Sequence, residues 1–105
     1  MRIVVVRYTV LEGREQENEA LVRAVYEELA QSRPPGFSYA TFREGDGRTF
    51  VHLAAVADGH ESPLQQTAAF ARFQEGIGER CEQPPVLTEL DEIGSYTLLD
   101  HVHGR

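Results

Sequence analysis

Six side chains in this sequence combine a chemistry with a position on a segment that reads as a β-strand. His52 sits at the centre of RTFVHLAAV, residues 48–56. An imidazole has an unperturbed pKa of about 6.5, which suits a general base on a phenol or quinol. Tyr8, Tyr39 and Tyr96 carry phenols that would orient a polar substrate, and Arg7 carries a cation for an anionic group or an enolate. Phe50, with Phe42 and Phe73, would supply an apolar wall. Each has a plainer alternative. A strand histidine can bond a backbone carbonyl, a tyrosine can pack with its hydroxyl satisfied, and an arginine can pair with one of many surface acids. A deprotonated aromatic diol is electron-rich and reacts with oxygen directly, so the expected chemistry needs no cofactor and no metal.

The remaining constellations are weaker. His60-Glu61 lies in a loop and His101-x-His103 in a polar tail, where nothing preorganises a metal site. Cys81 follows a helix C-terminus, where the dipole disfavours a thiolate. Gly45-x-Gly47 is too short to cradle a phosphate, and no Lys-Ser/Thr follows it.

These side chains need a scaffold, and its class follows from composition. A chain of 105 residues fits one domain. One cysteine allows no internal disulfide and no cysteine-based metal centre. A net charge of −7 without a basic stripe argues against nucleic acid and against an anionic membrane surface. No apolar run approaches the roughly 20 residues of a membrane span. The start, MRIVVVRYTV, lacks the apolar region and cleavage site of a signal peptide. The cytosol is the expected compartment, and a small molecule or another subunit the expected partner.

Hydrophobic periodicity places the elements. Residues 2–10 read as a strand apolar on both faces, from Ile3 to Val6. Residues 15–30 read as a helix with Leu21, Val22, Val25 and Leu29 on one stripe, stopped by Pro34-Pro35-Gly36. Phe37–Arg43 and the His52 strand flank a Glu44–Gly47 turn and should pair antiparallel. A second helix is expected from Pro63 to Glu79, with Ser62 as N-cap. Val86–Leu90 reads as a short edge strand or arm, Ile93–Leu99 as the last strand, and Asp100–Arg105 as a fraying tail. The order βαββαβ gives a ferredoxin-like α+β fold: a four-stranded antiparallel sheet with two helices on one face.

Two helices leave the other sheet face bare. The alternation of strand three puts Phe50, His52, Ala54 and Val56 on one face and Thr49, Val51, Leu53 and Ala55 on the other. The expectation is that Phe50 and Val56 belong to the uncovered face. A second copy would cover it, as a homodimer enclosing a lined cavity between two sheets.

The succession RIVVVRYTV, acidic helix, PPGFSYATFR, RTFVHLAAV, FARFQEGIGERCEQPP and IGSY resembles the antibiotic biosynthesis monooxygenase family over residues 2–99. The resemblance implies a dimeric α+β barrel with one pocket per subunit. Characterised members include cofactor-free oxygenases of aromatic polyketides or quinols, and haem-degrading enzymes. The latter carry an Asn, a Trp and a His in the pocket. This chain has no tryptophan, and its single asparagine, Asn18, falls on the acidic helix. The expected function is a cofactor-independent monooxygenase of a small aromatic or quinol-like molecule. The alternative is a non-catalytic dimeric module that binds a small molecule or another protein.

Overall fold

In the computed structural model, which describes residues 1–98, the chain opens with strand β1 (Arg2–Thr9) and helix α1 (Glu15–Ser32). Strands β2 (Phe37–Arg43) and β3 (Thr49–Val56) follow. After a 3-10 turn at Pro63–Gln66 come the short helices α2 (Ala68–Gln74) and α3 (Ile77–Arg80), then strand β4 (Val86–Leu90). The sheet has the order β2-β3-β1-β4, and every neighbouring pair is antiparallel. This is the expected ferredoxin-like α+β fold. No helix among the described residues is long and apolar enough to cross a membrane.

The local causes are legible. Helix α1 carries Glu15 and Glu17 in its first turn, where the dipole favours negative charge. It ends where Arg33 takes a left-handed conformation at φ 47° and its N–H bonds the Leu29 carbonyl. The β2–β3 turn is closed by Asp46. Its carboxylate accepts from the Arg48 and Thr49 amides and from the Thr49 hydroxyl.

Three expectations are corrected. The second helix is not continuous. Thr67 is extended (φ −93°, ψ 119°) and Gly76 sits at φ 76°, so the segment breaks into a 3-10 turn and two helices. Ser62 does cap its start, accepting from the Leu64 amide. Secondly, the last strand is Val86–Leu90, and Ile93–Leu98 is not a strand; Leu99 lies outside the described residues. The edge of β1 has room for one partner. The Val10–Cys81 bridge and the bond from the Glu82 amide to the Thr9 carbonyl deliver the chain to that edge just before residue 86. The tail with His101 and His103 also lies outside the described residues.

The third correction concerns the faces. Tyr8, Phe50 and Val10 pack with Val22 and Val25 of α1 and with Leu64, Ala69 and Phe73 in one core. The Phe50–His52 face is therefore the helix-covered face. The face without helices, the bare face, carries Val51 and Leu53, with Phe42 and Val86 in register with Val51 and Arg7; at one end of it Ile3 and Ala55 are buried in a small cluster with Met1, Leu53 and Ala57. The strand pattern identified two apolar faces, but alternation alone does not say which one the helices take. Val25 is only 2% exposed at the centre of that core. Val25→Ala should lower the stability of unfolding by roughly 2 kcal/mol, read by urea titration, from lost methyl burial plus a residual cavity.

Candidate functional site

Strand pairing brings the chemistry together. His52 stands opposite Val6 of β1 and Thr41 of β2. Tyr8 lies two residues along from Val6, and Tyr39 two residues along from Thr41, so both rings reach His52 diagonally. The Tyr8 hydroxyl meets His52 Nε2 at 2.8 Å, and the Tyr39 hydroxyl meets Nδ1 at 2.7 Å. Thr41 Oγ1 lies 3.2 Å from the same Nδ1 and bonds the Tyr26 hydroxyl at 2.7 Å. The next row along pairs Val4, Ala54 and Tyr39. Ala54 is small, and the space above it is not filled.

That space is a cavity of about 290 Å³ between the sheet and the 3-10 turn, α2 and α3. Tyr39, His52, Phe70 and Phe73 give it aromatic walls, and Val4, Leu64 and Leu87 give it aliphatic ones. Arg2 is its one charged wall residue, and no carboxylate lines it among the described residues. The volume sits at the lower end of small-molecule pockets. The cavity lies within one chain, not between two sheets as the sequence suggested, because the His52 face is the helix-covered one.

Behind the wall the bonds continue. Asn18 Nδ2 bonds the Tyr8 hydroxyl at 2.8 Å, and Arg80 Nε bonds Asn18 Oδ1 at 3.2 Å. Arg80 also donates to the carbonyls of Phe73 and Glu75, and stacks over the Phe73 ring at 5.3 Å. Arg80 is 2% exposed and Asn18 fully buried. Neither stood out as a site residue in sequence. Asn18 had a signal: it lies four residues before Val22 and seven before Val25, on the buried stripe of α1.

The other candidates are dispersed. Phe50 is buried and stacks on Tyr8 with centroids 5.6 Å apart, in the core beside the cavity. Arg7 lies on the bare face and forms an exposed pair with Glu44 at 2.6 Å. Tyr96 is 92% exposed and outside any strand. Cys81 is buried, and burial pushes its thiol pKa up.

Burial sets the protonation of the site. It lowers the His52 pKa to about 4, so the ring is neutral near pH 7. It raises both the Tyr8 and the Tyr39 hydroxyls far above the ordinary phenol range; for Tyr8 the Asn18 bond acts in the opposite, weaker sense. The folded chain thus binds fewer protons than the unfolded one between about pH 4 and the unfolded histidine value of about 6.5. His52 should contribute stability that is complete above pH 6.5 and is lost as pH falls towards 4, by up to about 3 kcal/mol. Urea unfolding at several pH values should show a shallower slope across this window for His52→Gln than for wild type. Equal slopes would contradict a neutral, buried His52.

Comparison with known proteins bears on the fold. No protein-family model matches the chain, and no curated protein matches it in sequence. Solved structures do match. An antibiotic biosynthesis monooxygenase superposes with a TM-score of 0.71 at 17% identity, over 90% of this chain and 100% of that one. A variant of SnoaB, described as a cofactor-independent oxygenase from Streptomyces nogalater, gives 0.65 at 19% identity, over 91% and 96%. Rv0793 from Mycobacterium tuberculosis gives 0.60 at 16% identity, over 91% and 98%. The chain has the fold of the antibiotic biosynthesis monooxygenase-like structures, at identities that make the likeness one of architecture.

Proposed function

We propose that this protein is a cofactor-independent oxygenase of a small aromatic or quinol-like molecule, held in the cavity beside Tyr39 and His52. The observation that carries the reading is a neutral imidazole clamped between two tyrosine hydroxyls in the wall of a largely apolar, aromatic-lined cavity. The fold it shares with a cofactor-independent oxygenase points the same way. The balance requires only dioxygen. The ring carbon of an ionised phenol bonds one oxygen atom, and the hydroperoxide then loses water. A phenol plus O₂ gives a quinone plus H₂O, the two hydrogens coming from the substrate's O–H and C–H. Both nitrogens of His52 are engaged by tyrosines. His52 therefore acts on the substrate through Tyr39, and Tyr39 is the group that touches it.

The bare sheet face suggests the assembly. Phe42 is 58% exposed, Val86 64% and Leu90 40%, and they share this face with Val5, Val51 and Leu53. Monomers seldom leave such a patch in water. A second copy packed face to face is the occupant this reading assigns, giving a homodimer with one cavity in each subunit.

Oxygen uptake with naphthols and dihydroxynaphthalenes is the direct test. Wild type should consume oxygen, and His52→Ala, which breaks the Tyr8–His52–Tyr39 hydrogen bonds, should lower kcat/KM by roughly 10²-fold or more. An unchanged kcat/KM would remove His52 from the mechanism. Ligand-induced thermal stabilisation without oxygen uptake would favour a non-catalytic binding module instead. Sedimentation should give a dimer for wild type and a monomer for Leu53→Arg; a monomeric wild type would overturn the assembly.

A further inference from the structure

Hydrogen bonds have direction, and here one residue fixes the direction of a whole chain of them. A guanidinium only donates. The Asn18 atom facing Arg80 is therefore the amide oxygen, and Nδ2 faces Tyr8 and donates to it. The Tyr8 oxygen accepts, so its own hydrogen goes to its other partner, His52 Nε2. A neutral imidazole that accepts at Nε2 carries its hydrogen on Nδ1. Nδ1 then donates to the Tyr39 oxygen at 2.7 Å, with Thr41 at 3.2 Å as a lesser acceptor. The Tyr39 hydrogen is left over. No further acceptor lies within hydrogen-bond distance of the Tyr39 hydroxyl among the described residues, and Tyr39 lines the cavity. The opposite sense would leave the Tyr8 hydrogen buried with nothing to receive it.

Charge points the same way. Arg80 forms no ion pair within 4 Å among the described residues, so a buried positive charge stands behind the chain. The carboxylates close to it in space or sequence, Glu17, Glu75 and Glu79, are exposed. The cavity wall presents Tyr8, Tyr39, His52 and Arg2, the neutral polar side chains of Ser62, Gln65 and Gln74, and among the described residues no carboxylate; Arg2 pairs with the exposed Glu89 at 3.7 Å. Burial keeps both tyrosine hydroxyls protonated, so both remain donors.

We infer that Arg80 and Asn18 are positioning residues that polarise the Asn18–Tyr8–His52–Tyr39 chain towards the cavity. Tyr39 thereby recognises an acceptor oxygen, and the cavity selects an ionised phenol or enol over its neutral form. The inference rests on the reading of the cavity as a site for a small aromatic molecule, and it names the form in which that molecule is bound. A chain of aligned donors ending at a cation is a preorganised stabiliser of an oxyanion.

The probe is 4-nitrophenol, whose ionisation is visible in its absorbance. Bound to wild type, its apparent pKa should fall by about one unit, a tenfold preference for the phenolate. Tyr39→Phe keeps the ring and the Arg80 charge, and should abolish the shift. Asn18→Asp is isosteric and supplies Arg80 with a counter-ion. Its carboxylate can only accept, so Tyr8 must turn its hydrogen away from His52 and the cavity end becomes an acceptor. The bound probe's pKa should then equal or exceed the free value, with the thermal midpoint reporting that the variant is folded. No binding up to millimolar probe, equal binding of both forms by wild type, or a Tyr39→Phe variant that keeps the shift would overturn the inference. An Asn18→Asp variant that keeps the shift would overturn it too. No turnover enters this titration. A shifted probe without oxygen uptake would refute the oxygenase reading alone, and uptake with an unshifted probe would refute the present inference alone.

Discussion

A guanidinium buried without a carboxylate has to be solvated by the protein itself. Arg80 meets that requirement with the carbonyls of Phe73 and Glu75 and the amide of Asn18. Leaving such a charge without partners would cost several kcal/mol, so these bonds are obligatory. They determine much else. They pin α3 back onto the end of α2, across the break that Gly76 makes at φ 76°. They also hold Asn18 in one orientation, and so tie α1 to Tyr8 on β1 and, through His52 and Tyr39, to β3 and β2. One buried cation thereby connects three helices with three strands.

The cavity lies against the broken second helix. The 3-10 turn, α2 and α3 each contribute to its wall, through Leu64, through Phe70 and Phe73, and through Ile77. The extended Thr67 separates the 3-10 turn from α2. Glu28 of α1 steadies the start of α2 by accepting from the Ala68 and Ala69 amides. Phe70 and Phe73 then wall the gap without entering it. An apolar gap that keeps its shape is held by rigid neighbours, and here the rings of Tyr8, Tyr39, His52 and Phe73 brace one another at 5.3–6.0 Å.

Period and turn chemistry made the scaffold readable. The alternation through Thr49–Val56, the stripe on α1 and the Glu44–Gly47 turn each matched the element that formed. His52 and Tyr39 were each legible as candidates on two strands expected to pair; Arg7, offered beside them, falls on the opposite face. Arg80 was not, because a charged residue at the end of a Gly-containing segment reads as solvated. The last strand was misplaced because Val86–Leu90 and Ile93–Leu99 look alike locally, and the choice was made by the remote Val10–Cys81 bridge. The identity of the covered face was hidden for a similar reason: both faces of β1 are apolar, so only the helices' own side chains decide.

That two-faced sheet separates the two tasks of the chain. On β1 and β3 the even-numbered residues, Val6, Tyr8, His52 and Ala54, build the cavity and its hydrogen bonds. The odd-numbered ones, Val5, Val51 and Leu53, build the bare face. A substitution at Leu53 therefore changes what the bare face can join without touching a cavity-lining side chain, and one at His52 does the reverse. The faces meet only through the backbone ladder, which is insensitive to side-chain identity. Assembly and site chemistry can accordingly vary independently on this sheet. Low identity across structures of one architecture is what such a division allows: the ladder and its covered core constrain the fold, while each face answers to its own ligand or partner.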